Sequence, residues 1–323
     1  MELSGASAKR LTVAAIGGLS VDRKVRVEGP LRPGTSNPVR GTTAAGGVAR
    51  NVAESLGRLG CSVSLFSIAG RDAEAEALLD TLRRAGVDVS GVERSGSAPT
   101  ARYTAVLRAD GGLAFGLADM EILNELDAAW AESVAPRLGD FDLWLVDANL
   151  PAESLACLLG RVPEGVRVLA DPVSVAKAER LRPVLGSVSV LFPDRGELAA
   201  LSGLPAETPS GVEAASRELR EAGARTVVAS LGADGVHVCA DGRCETIRPP
   251  APPRVVDVTG AGDAIVAGYA FGFVTGEADP VHLGLAAASL ALETDGSAAN
   301  VLTVGRLRER LASVGSASFG AGS

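Results

Sequence analysis

Short apolar runs alternate along the chain with stripes of apolar residues at helical spacing. The runs are four to six residues long and rich in aliphatic side chains, which is typical of strands buried on both faces. Strands are predicted at residues 11–16, 63–68, 143–146, 166–170, 188–192 and 226–230, with a hairpin turning at 241–242. Helices are predicted at residues 48–59, 72–85, 126–138, 152–159, 211–222, 261–273, 281–293 and 304–311. This alternation predicts an α/β fold, a parallel sheet with helices on both faces.

Two segments interrupt the alternation. Residues 21–45 contain three prolines, which prevent a helix, and residues 101–119 contain two apolar runs around the turn signal at 109–112. Neither segment has a helical partner, so we expect them to form a small β-sheet that acts as a lid on the main domain. The predicted division is a discontinuous main domain at 9–22, 46–100 and 120–314, a lid at 23–45 and 101–119, and disordered ends at 1–8 and 315–323.

Composition and charge narrow the class of protein. Apolar residues make up 46% of the 323 residues and charged residues 22%, the balance of an ordinary soluble globular protein. The net charge is −8 and no basic stripe is present, so a nucleic-acid polymer is not expected as a partner. No apolar stretch is long enough for a membrane helix, and residues 1–10 lack the core of a secretory signal. We therefore expect a cytoplasmic protein.

The cysteines and histidines give little sign of a metal site. Four cysteines lack zinc-like spacing and are expected to be reduced and mostly buried, although Cys239 and Cys244 can face each other across the predicted hairpin. The two histidines, His237 and His282, are too few for a histidine-rich metal site. Because His237 alternates with valines, we expect it in a strand.

The segment from Asp257 to Asp263 carries the strongest candidate chemistry. It reads Asp-Val-Thr-Gly-Ala-Gly-Asp and precedes a helix of small and apolar residues. Gly260, Ala261 and Gly262 let backbone N–H groups converge at the helix start, where an anion such as a transferring phosphoryl group is favoured. Asp263 is then the candidate catalytic base. The alternative is a carboxylate that is only stabilised by the helix dipole, but a glycine turn with two flanking carboxylates exceeds what a cap requires.

Two other phosphate-binding patterns are excluded. A P-loop requires Gly-Lys-Ser/Thr, and none of the three lysines, Lys9, Lys24 and Lys177, follows a glycine. Residues 260–265 lack the third glycine or alanine of a dinucleotide fingerprint and lie far from the first βα unit. The remaining possibility is a kinase whose anion hole lies late in the chain.

A second glycine pair opens the first predicted helix. Gly46 and Gly47 allow a ligand to approach the backbone closely, and Asn51, one turn further, can donate to and accept from sugar hydroxyls. Asp22 lies just beyond the C-terminal end of the first strand, at the edge where parallel sheets bind ligands. These four residues are candidate substrate ligands.

The two glycine segments, in this order and about 200 residues apart, resemble the signature regions of the PfkB or ribokinase family of carbohydrate kinases. The resemblance extends from about residue 11 to 311. Residues 230–235 resemble the family's nucleotide-binding turn. Residues 193–197 resemble its Asn-Xaa-Xaa-Glu motif, with Asp194 in place of the usual Asn. The resemblance implies a ribokinase-like fold and ATP-dependent phosphorylation of a hydroxyl on a sugar-like molecule.

The resemblance also implies roles for individual residues. It implies nucleotide contacts at Asp194, Ser230, Gly232, Gly235 and Asn300. It implies Mg²⁺ placed through water by Glu197 and Asp194, and a monovalent-cation site for K⁺ at Asp257 and Thr259. The extra negative charge of Asp194 can weaken ATP binding, but since Glu197 is retained we expect an active enzyme.

Within the family, residues 31–38, 118–121 and 170–174 resemble the pseudouridine kinase branch. This resemblance implies the 5′-hydroxyl of pseudouridine as acceptor, with base contacts from Ser36, Asn37 and Asp119 on the lid. Lids of the family often pair between subunits, which implies a homodimer. Two alternatives stay open: a family member that acts on ribose, another nucleoside or a hexose, and a ligand-sensing relative that has lost catalysis.

Overall fold

A computed structural model describes residues 11–249, 254–276, 279–294 and 298–317 of the chain. The strands are β1 Thr12–Ile16, β2 Ser20–Val27, β3 Val39–Gly46, β4 Ser62–Ala69, β5 Asp88–Arg94, β6 Arg102–Leu107, β7 Leu113–Asp119, β8 Leu143–Asp147, β9 Arg167–Asp171, β10 Val190–Leu191, β11 Thr226–Ser230, β12 Val236–Ala240 and β13 Arg243–Ile247. The helices are α1 Val48–Arg58, α2 Ala73–Arg84, α3 Ala128–Leu138, α4 Ala152–Leu159, α5 Val175–Ala178, α6 Arg195–Ser202, α7 Pro209–Glu221, α8 Ala261–Thr275, α9 Pro280–Ala291 and α10 Val304–Ala317. The predicted disordered end at 1–8 lies outside the described residues, as do residues 318–323 of the other predicted end, but residues 315–317 of that end continue α10 and correct the prediction there.

Within the described residues, one large sheet of nine strands has the order β13-β12-β11-β10-β9-β8-β1-β4-β5. Its strands are parallel from β11 to β5, and β12 and β13 add an antiparallel edge. Side chains alternate between two apolar cores: Val13 and Ala15 belong to one, and Ala14 and Ile16 to the other, all fully buried. The continuous apolar runs of the sequence arise because both faces of the sheet are covered.

The helices divide between the two faces. Apolar residues of α1, α2, α8 and α9 pack into one core, and those of α3, α4, α6 and α7 into the other. The predicted α/β architecture is therefore confirmed. Among the described residues, no helix has both the length and the apolar character needed to cross a bilayer.

A separate small sheet has the strand order β3-β2-β6-β7, with β2 antiparallel to β3 and parallel to β6. It is built from the two segments that interrupt the βα alternation, as predicted. Side chains alternate between its two faces, so Asp22 and Lys24 share one face with Tyr103. We call this the inner face. The outer face carries residues of the other parity, including Val25 and Phe115.

Several local predictions differ from the structure. The strand predicted at 188–192 is shorter in the structure, where only β10 forms. The helix predicted from residue 126 begins at Ala128, because the Asp127 carboxylate caps it by accepting from the Trp130 N–H at 2.9 Å. The predicted hairpin at 241–242 joins β12 to β13, and His237 lies in β12 as expected. The expectation of reduced thiols is wrong for Cys239 and Cys244: directly opposite in this hairpin, they form a disulfide.

Candidate active site

The Asp263 carboxylate lies where two helices begin. It belongs to the first turn of α8, which follows Gly260 with a left-handed φ of 79°. Asn51, in the first turn of α1, donates from Nδ2 to Asp263 Oδ2 at 2.6 Å. Gly47 precedes α1 with φ 92°, a conformation that favours glycine. Both helix starts direct a partial positive charge toward this point.

Arg50 supports this arrangement from beneath, and its role was not predicted from the sequence. Its guanidinium is fully buried and pairs with Glu54 Oε2 at 2.7 Å. It also donates from Nε to Asn51 Oδ1 at 2.9 Å, which leaves the amide nitrogen of Asn51 directed at Asp263. The sequence signal for this buried ion pair was an Arg and a Glu four residues apart on a helix face that is otherwise apolar.

Burial dominates the ionisation of Asp263. It raises the pKa of Asp263 to about 6, against the lowering effects of the Asn51 hydrogen bond and the Arg50 charge, and the charges of Asp147 and Asp22 raise it further. A carboxylate with this pKa is largely ionised at neutral pH and binds a proton more readily than an ordinary Asp. These are the properties required of a general base.

The predicted substrate residues lie together beside Asp263. Asp22 follows the first strand on β2, and Ser20 Oγ donates to its Oδ1 at 3.3 Å. A Cβ atom at Gly46 would collide with the Asp22 carboxylate, and one at Gly47 would collide with the backbone carbonyl of Gly18. The two glycines are thus needed for the close approach of α1 to β2, in addition to any contact with a ligand.

Two buried aspartates at the ends of β8 and β9 were missed as site residues. Asp147 accepts backbone N–H groups from Gly18 at 3.0 Å and Ala49 at 2.9 Å, which joins the β1–β2 turn to the start of α1. Burial, followed by the charges of Asp263 and Glu197, raises the pKa of Asp171 well above its usual value. The signal was an Asp directly after each of two neighbouring buried strands, since parallel strands end at the same edge.

Asp194 and Glu197 form a reciprocal cap at the start of α6. Asp194 Oδ1 accepts from the Glu197 N–H at 2.7 Å, and Glu197 Oε2 accepts from the Asp194 N–H at 2.8 Å. Asp and Asn cap helices equally well, so Asp194 can take the capping role at the position where the resemblance implied Asn. Burial raises the pKa of Glu197 to about 7, and the charges of Asp194 and Asp263 add to this effect.

A cavity of about 770 Å³ opens beside the start of α8. Its walls come from the starts of α6 and α8, the turn after β11 and the apolar side of α9. The predicted residues that line it are Asp194, Ser230, Gly232, Gly235, Ala261 and Gly262. Asn300 is not among its lining residues and lies exposed in a 3₁₀ turn. One of the predicted anion-binding amides already has a weak partner, since the Ala261 N–H donates to the Val258 carbonyl at 3.4 Å.

The predicted cation ligands Asp257 and Thr259 face a lysine. Lys24 Nζ lies 3.1 Å from Asp257 Oδ2 and 2.8 Å from Thr259 Oγ1. The donor set expected for K⁺ therefore holds an ammonium group from the inner face of the small sheet, and a K⁺ ion does not fit with Lys24 in this position. Within the described residues, no group of three or more His, Cys, Asp or Glu side chains is arranged to hold a metal ion.

The predicted base-contacting residues are not brought to this site. Ser36 and Asn37 lie in the loop beyond Val27, which is about 17 Å along β2 from Asp22 at roughly 3.3 Å per residue. The Asn37 side chain is bonded within that loop, accepting from the Arg32 N–H at 2.8 Å. Asp119 ends β7 on the outer face, opposite to Asp22.

The chain is similar in sequence and fold to known carbohydrate kinases. A profile described as pfkB family carbohydrate kinase matches residues 10–303. Over 300 residues the chain is 30% identical to a pseudouridine kinase from Escherichia coli K12, covering 90% of this chain and 96% of that one. A carbohydrate kinase structure from Agrobacterium tumefaciens is 30% identical with a TM-score of 0.81, covering 94% of this chain and 97% of that one. The fold also matches an Arabidopsis thaliana ribokinase complexed with ribose and ATP, at TM-score 0.83 and 23% identity, covering 94% and 99%.

Proposed function

The chain belongs to the pfkB family of carbohydrate kinases and is a phosphotransferase that acts on an alcohol group; on this premise we propose that it transfers the γ-phosphoryl group of ATP to the 5′-hydroxyl of pseudouridine. One observation carries the proposal. The Asp263 carboxylate is hydrogen-bonded to Asn51 of α1, and the two residues that precede it in the chain, Ala261 and Gly262, line the cavity of about 770 Å³. An acceptor held on the first side and a nucleotide in the cavity would meet at this carboxylate.

The choice of acceptor is supported by similarity to the pseudouridine kinase of E. coli. Asp22 and Asn51 supply a carboxylate and an amide close together, which suits the vicinal hydroxyls of a ribose ring. Ser36, Asn37 and Asp119 remain candidates for contacts with the base, but only if they reach it from another chain or after movement of the small sheet.

In the proposed reaction, Asp263 accepts the proton of the acceptor hydroxyl while that oxygen attacks the γ-phosphorus in line. The new O–P bond forms as the bond to the ADP oxygen breaks, and the proton stays on Asp263 until solvent removes it. Backbone N–H groups of Gly260, Ala261 and Gly262 stabilise the charge that develops on the phosphoryl oxygens. The Ala261 amide would exchange its long bond to Val258 for this stronger partner.

The described residues form no metal site of three or more ligands by themselves, but the carboxylate of Asp194 beside the cavity and its capping partner Glu197 suit a divalent cation that arrives with the nucleotide. Burial and then the charges of Asp263 and Glu197 raise the pKa of Asp171, and the charge of Asp263 also adds to the effect of burial on the pKa of Glu197. A cation near them would relieve this repulsion and keep the carboxylates ionised. Mg²⁺, when bound, neutralises charge on the phosphates. Glu197 and Asp194 would hold it through water, since the two carboxylates also cap α6.

We further propose that the small sheet serves as the lid of the site and joins two chains as a homodimer. Its inner face carries Asp22 and Lys24, both within the site. Its outer face exposes Phe115 and Leu117, which are 54% and 56% accessible to solvent. Exposed apolar residues in a row on an edge strand are typical of an interface.

The test is ADP release from ATP with pseudouridine, uridine, ribose, a hexose and adenosine as separate acceptors. We expect pseudouridine to give the highest kcat/KM, and Asp263→Asn to lower kcat by about a thousandfold, within the range of general-base catalysis. Asp279→Asn is the control, because Asp279 also lies at a helix start but caps α9 away from the cavity. Preference for another acceptor would contradict the substrate, and near-normal turnover of Asp263→Asn would contradict the base.

A further inference from the structure

The Lys24 side chain joins the inner face of the small sheet to the turn that begins α8. Its ammonium group contacts one oxygen of Asp257 and the hydroxyl of Thr259, at 3.1 and 2.8 Å. The second carboxylate oxygen, Asp257 Oδ1, accepts from the N–H and the hydroxyl of Thr259 at 2.9 and 2.8 Å. The Thr259 hydroxyl therefore donates to Asp257 and accepts from Lys24, and these three residues form one closed network.

The charges in this network are balanced. Burial alone would raise the pKa of Asp257, but the hydrogen bonds from Thr259 and the ion pair with Lys24 outweigh it and hold the pKa below its usual value. Asp257 is thus an anion at neutral pH, and an ammonium group is its partner. The Lys24 side chain remains 44% accessible, so its third hydrogen-bond donor stays in contact with water.

The position of Lys24 in the chain gives this contact a consequence for the reaction. Lys24 and Asp22 lie two residues apart on β2, so both side chains point to the inner face. Asp22 is proposed to hold the acceptor, and the turn after Thr259 is proposed to hold the phosphoryl group. A bond from Lys24 to this turn therefore fixes the distance between the strand that carries one reactant and the turn that carries the other.

We infer that Lys24 is a built-in cation of the turn at 257–259, a positioning residue that replaces a bound monovalent ion and couples the small sheet to the phosphoryl-binding turn. The inference rests on the proposed kinase reaction. Because the ammonium is covalently attached, the wild-type enzyme needs no K⁺. Removal of the ammonium leaves an anionic carboxylate beside a hydroxyl, a pair of oxygen ligands that K⁺ or NH₄⁺ from solution can enter.

The activity test compares Lys24→Met with Arg26→Met, in buffers whose ionic strength is held constant by tetramethylammonium chloride. Arg26 is a cation on the same strand and the same face, but it lies further from the turn. We expect wild type and Arg26→Met to show no K⁺ dependence. For Lys24→Met we expect kcat to fall about 10- to 100-fold because the reactants are misplaced, while KM for ATP changes much less. We expect KCl or NH₄Cl to restore most of the lost kcat.

A second measurement does not depend on turnover. Thermal unfolding is followed for wild type, Lys24→Met and the double variant Lys24→Met/Asp257→Asn in KCl and in tetramethylammonium chloride. A bound ion stabilises the folded state, so we expect KCl to raise the Tm of Lys24→Met only. If wild type phosphorylates no acceptor, the proposed function fails while this comparison still decides the role of Lys24. Wild-type activity that rises with K⁺, or Lys24→Met that is fully active and indifferent to K⁺, would overturn the inference.

Discussion

Asp263 is surrounded by acidic side chains at the end of the large sheet. The charges of Asp147 and Asp22 raise its pKa, after the larger effect of burial, and its own charge raises the pKa of Asp171 and Glu197. The Asn51 hydrogen bond and the buried Arg50 partly oppose this effect on Asp263. The result is a base that is ionised at neutral pH and protonated in mild acid.

The pH dependence of kcat/KM follows from this arrangement. Only ionised Asp263 can accept the acceptor proton, so kcat/KM should fall about tenfold for each pH unit below the pKa of the free enzyme. With the pKa of Asp263 at about 6 and that of Glu197 at about 7, we expect the rise to level off between these values or just above them. The initial rate is measured at low acceptor concentration between about pH 5 and about pH 8.5, a range that includes both pKa values.

Asp22→Asn separates this interpretation from acid denaturation. Asp22 raises the pKa of Asp263, so its neutralisation favours the ionised base and should move the inflection to lower pH, whatever happens to KM. Circular dichroism at each pH serves as the folding control. A profile that stays flat down to pH 5, or an inflection that moves upward in Asp22→Asn, would show that Asp263 does not control the rate.

The sequence predicted some of these residues and missed others for a physical reason. Asp263, Asn51 and the glycines lie at helix starts, where local sequence alone indicates an anion site. Asp147 and Asp171 lie side by side because β8 and β9 are neighbours in the sheet, and local sequence does not determine the order of the strands. Lys24 lies 233 residues from its partner Asp257, a separation that no local pattern can bridge.

At the scale of elements, the site depends on the close approach of α1 to the turn between β1 and β2. The Arg50 N–H donates to the Gly18 carbonyl at 3.3 Å, and Gly47 packs against the same carbonyl. Asn51 can reach Asp263 only when α1 starts at this height above the sheet. A single backbone position, Gly47, therefore links the stability of α1 to the geometry of the base.

Gly47→Ala tests this link against a matched control. Gly47 and Gly60 stand at opposite ends of α1 with φ of 92° and 83°, but a Cβ would meet the Gly18 backbone at the first and nothing within 4 Å at the second. The left-handed helical conformation costs an alanine about 1–2 kcal/mol, whereas Gly47, with φ 92° and ψ 122°, lies outside that region, so an alanine there adds backbone strain to the collision. We expect Gly47→Ala to lose clearly more free energy of unfolding than Gly60→Ala, as measured in urea. We also expect Gly47→Ala to lower kcat/KM and Gly60→Ala to keep normal kcat/KM. Equal losses of stability and activity in the two variants would contradict the role of close packing.

Most elements were predicted because their signals are local. The βα alternation followed from apolar periodicity, and the hairpin between β12 and β13 from an Asp-Gly turn whose residues have φ of 47° and 77°. Pairing across that hairpin also brings the two cysteines together, an arrangement that the sequence allowed but did not require. The division into two sheets was predicted from prolines and missing helices, but the direction of β6 along β2 depends on contacts distant in the chain.

At the scale of the whole molecule, the small sheet has two faces with different environments. The inner face is directed to the site through Lys24 and Asp22. The outer face carries the exposed apolar residues Phe115 and Leu117 on β7, an edge strand with one side unpaired within the sheet. Ser36, Asn37 and Asp119 also lie away from this chain's own site. A second chain packed on the outer face would cover the exposed apolar residues.

The oligomeric state decides whether the outer face has this role. Leu117→Gln removes an apolar side chain that is 56% exposed on the small sheet, and Val175→Gln removes one equally exposed, at 56%, on the main domain. We expect wild type and Val175→Gln to sediment as dimers, and Leu117→Gln to shift toward monomer, with a dissociation constant raised about tenfold by the loss of about 1.4 kcal/mol of apolar burial. Sedimentation velocity over a range of concentrations measures this shift, and urea unfolding checks that Leu117→Gln stays folded. A monomeric wild type, or a dimer weakened equally by both substitutions, would place the interface elsewhere or exclude it.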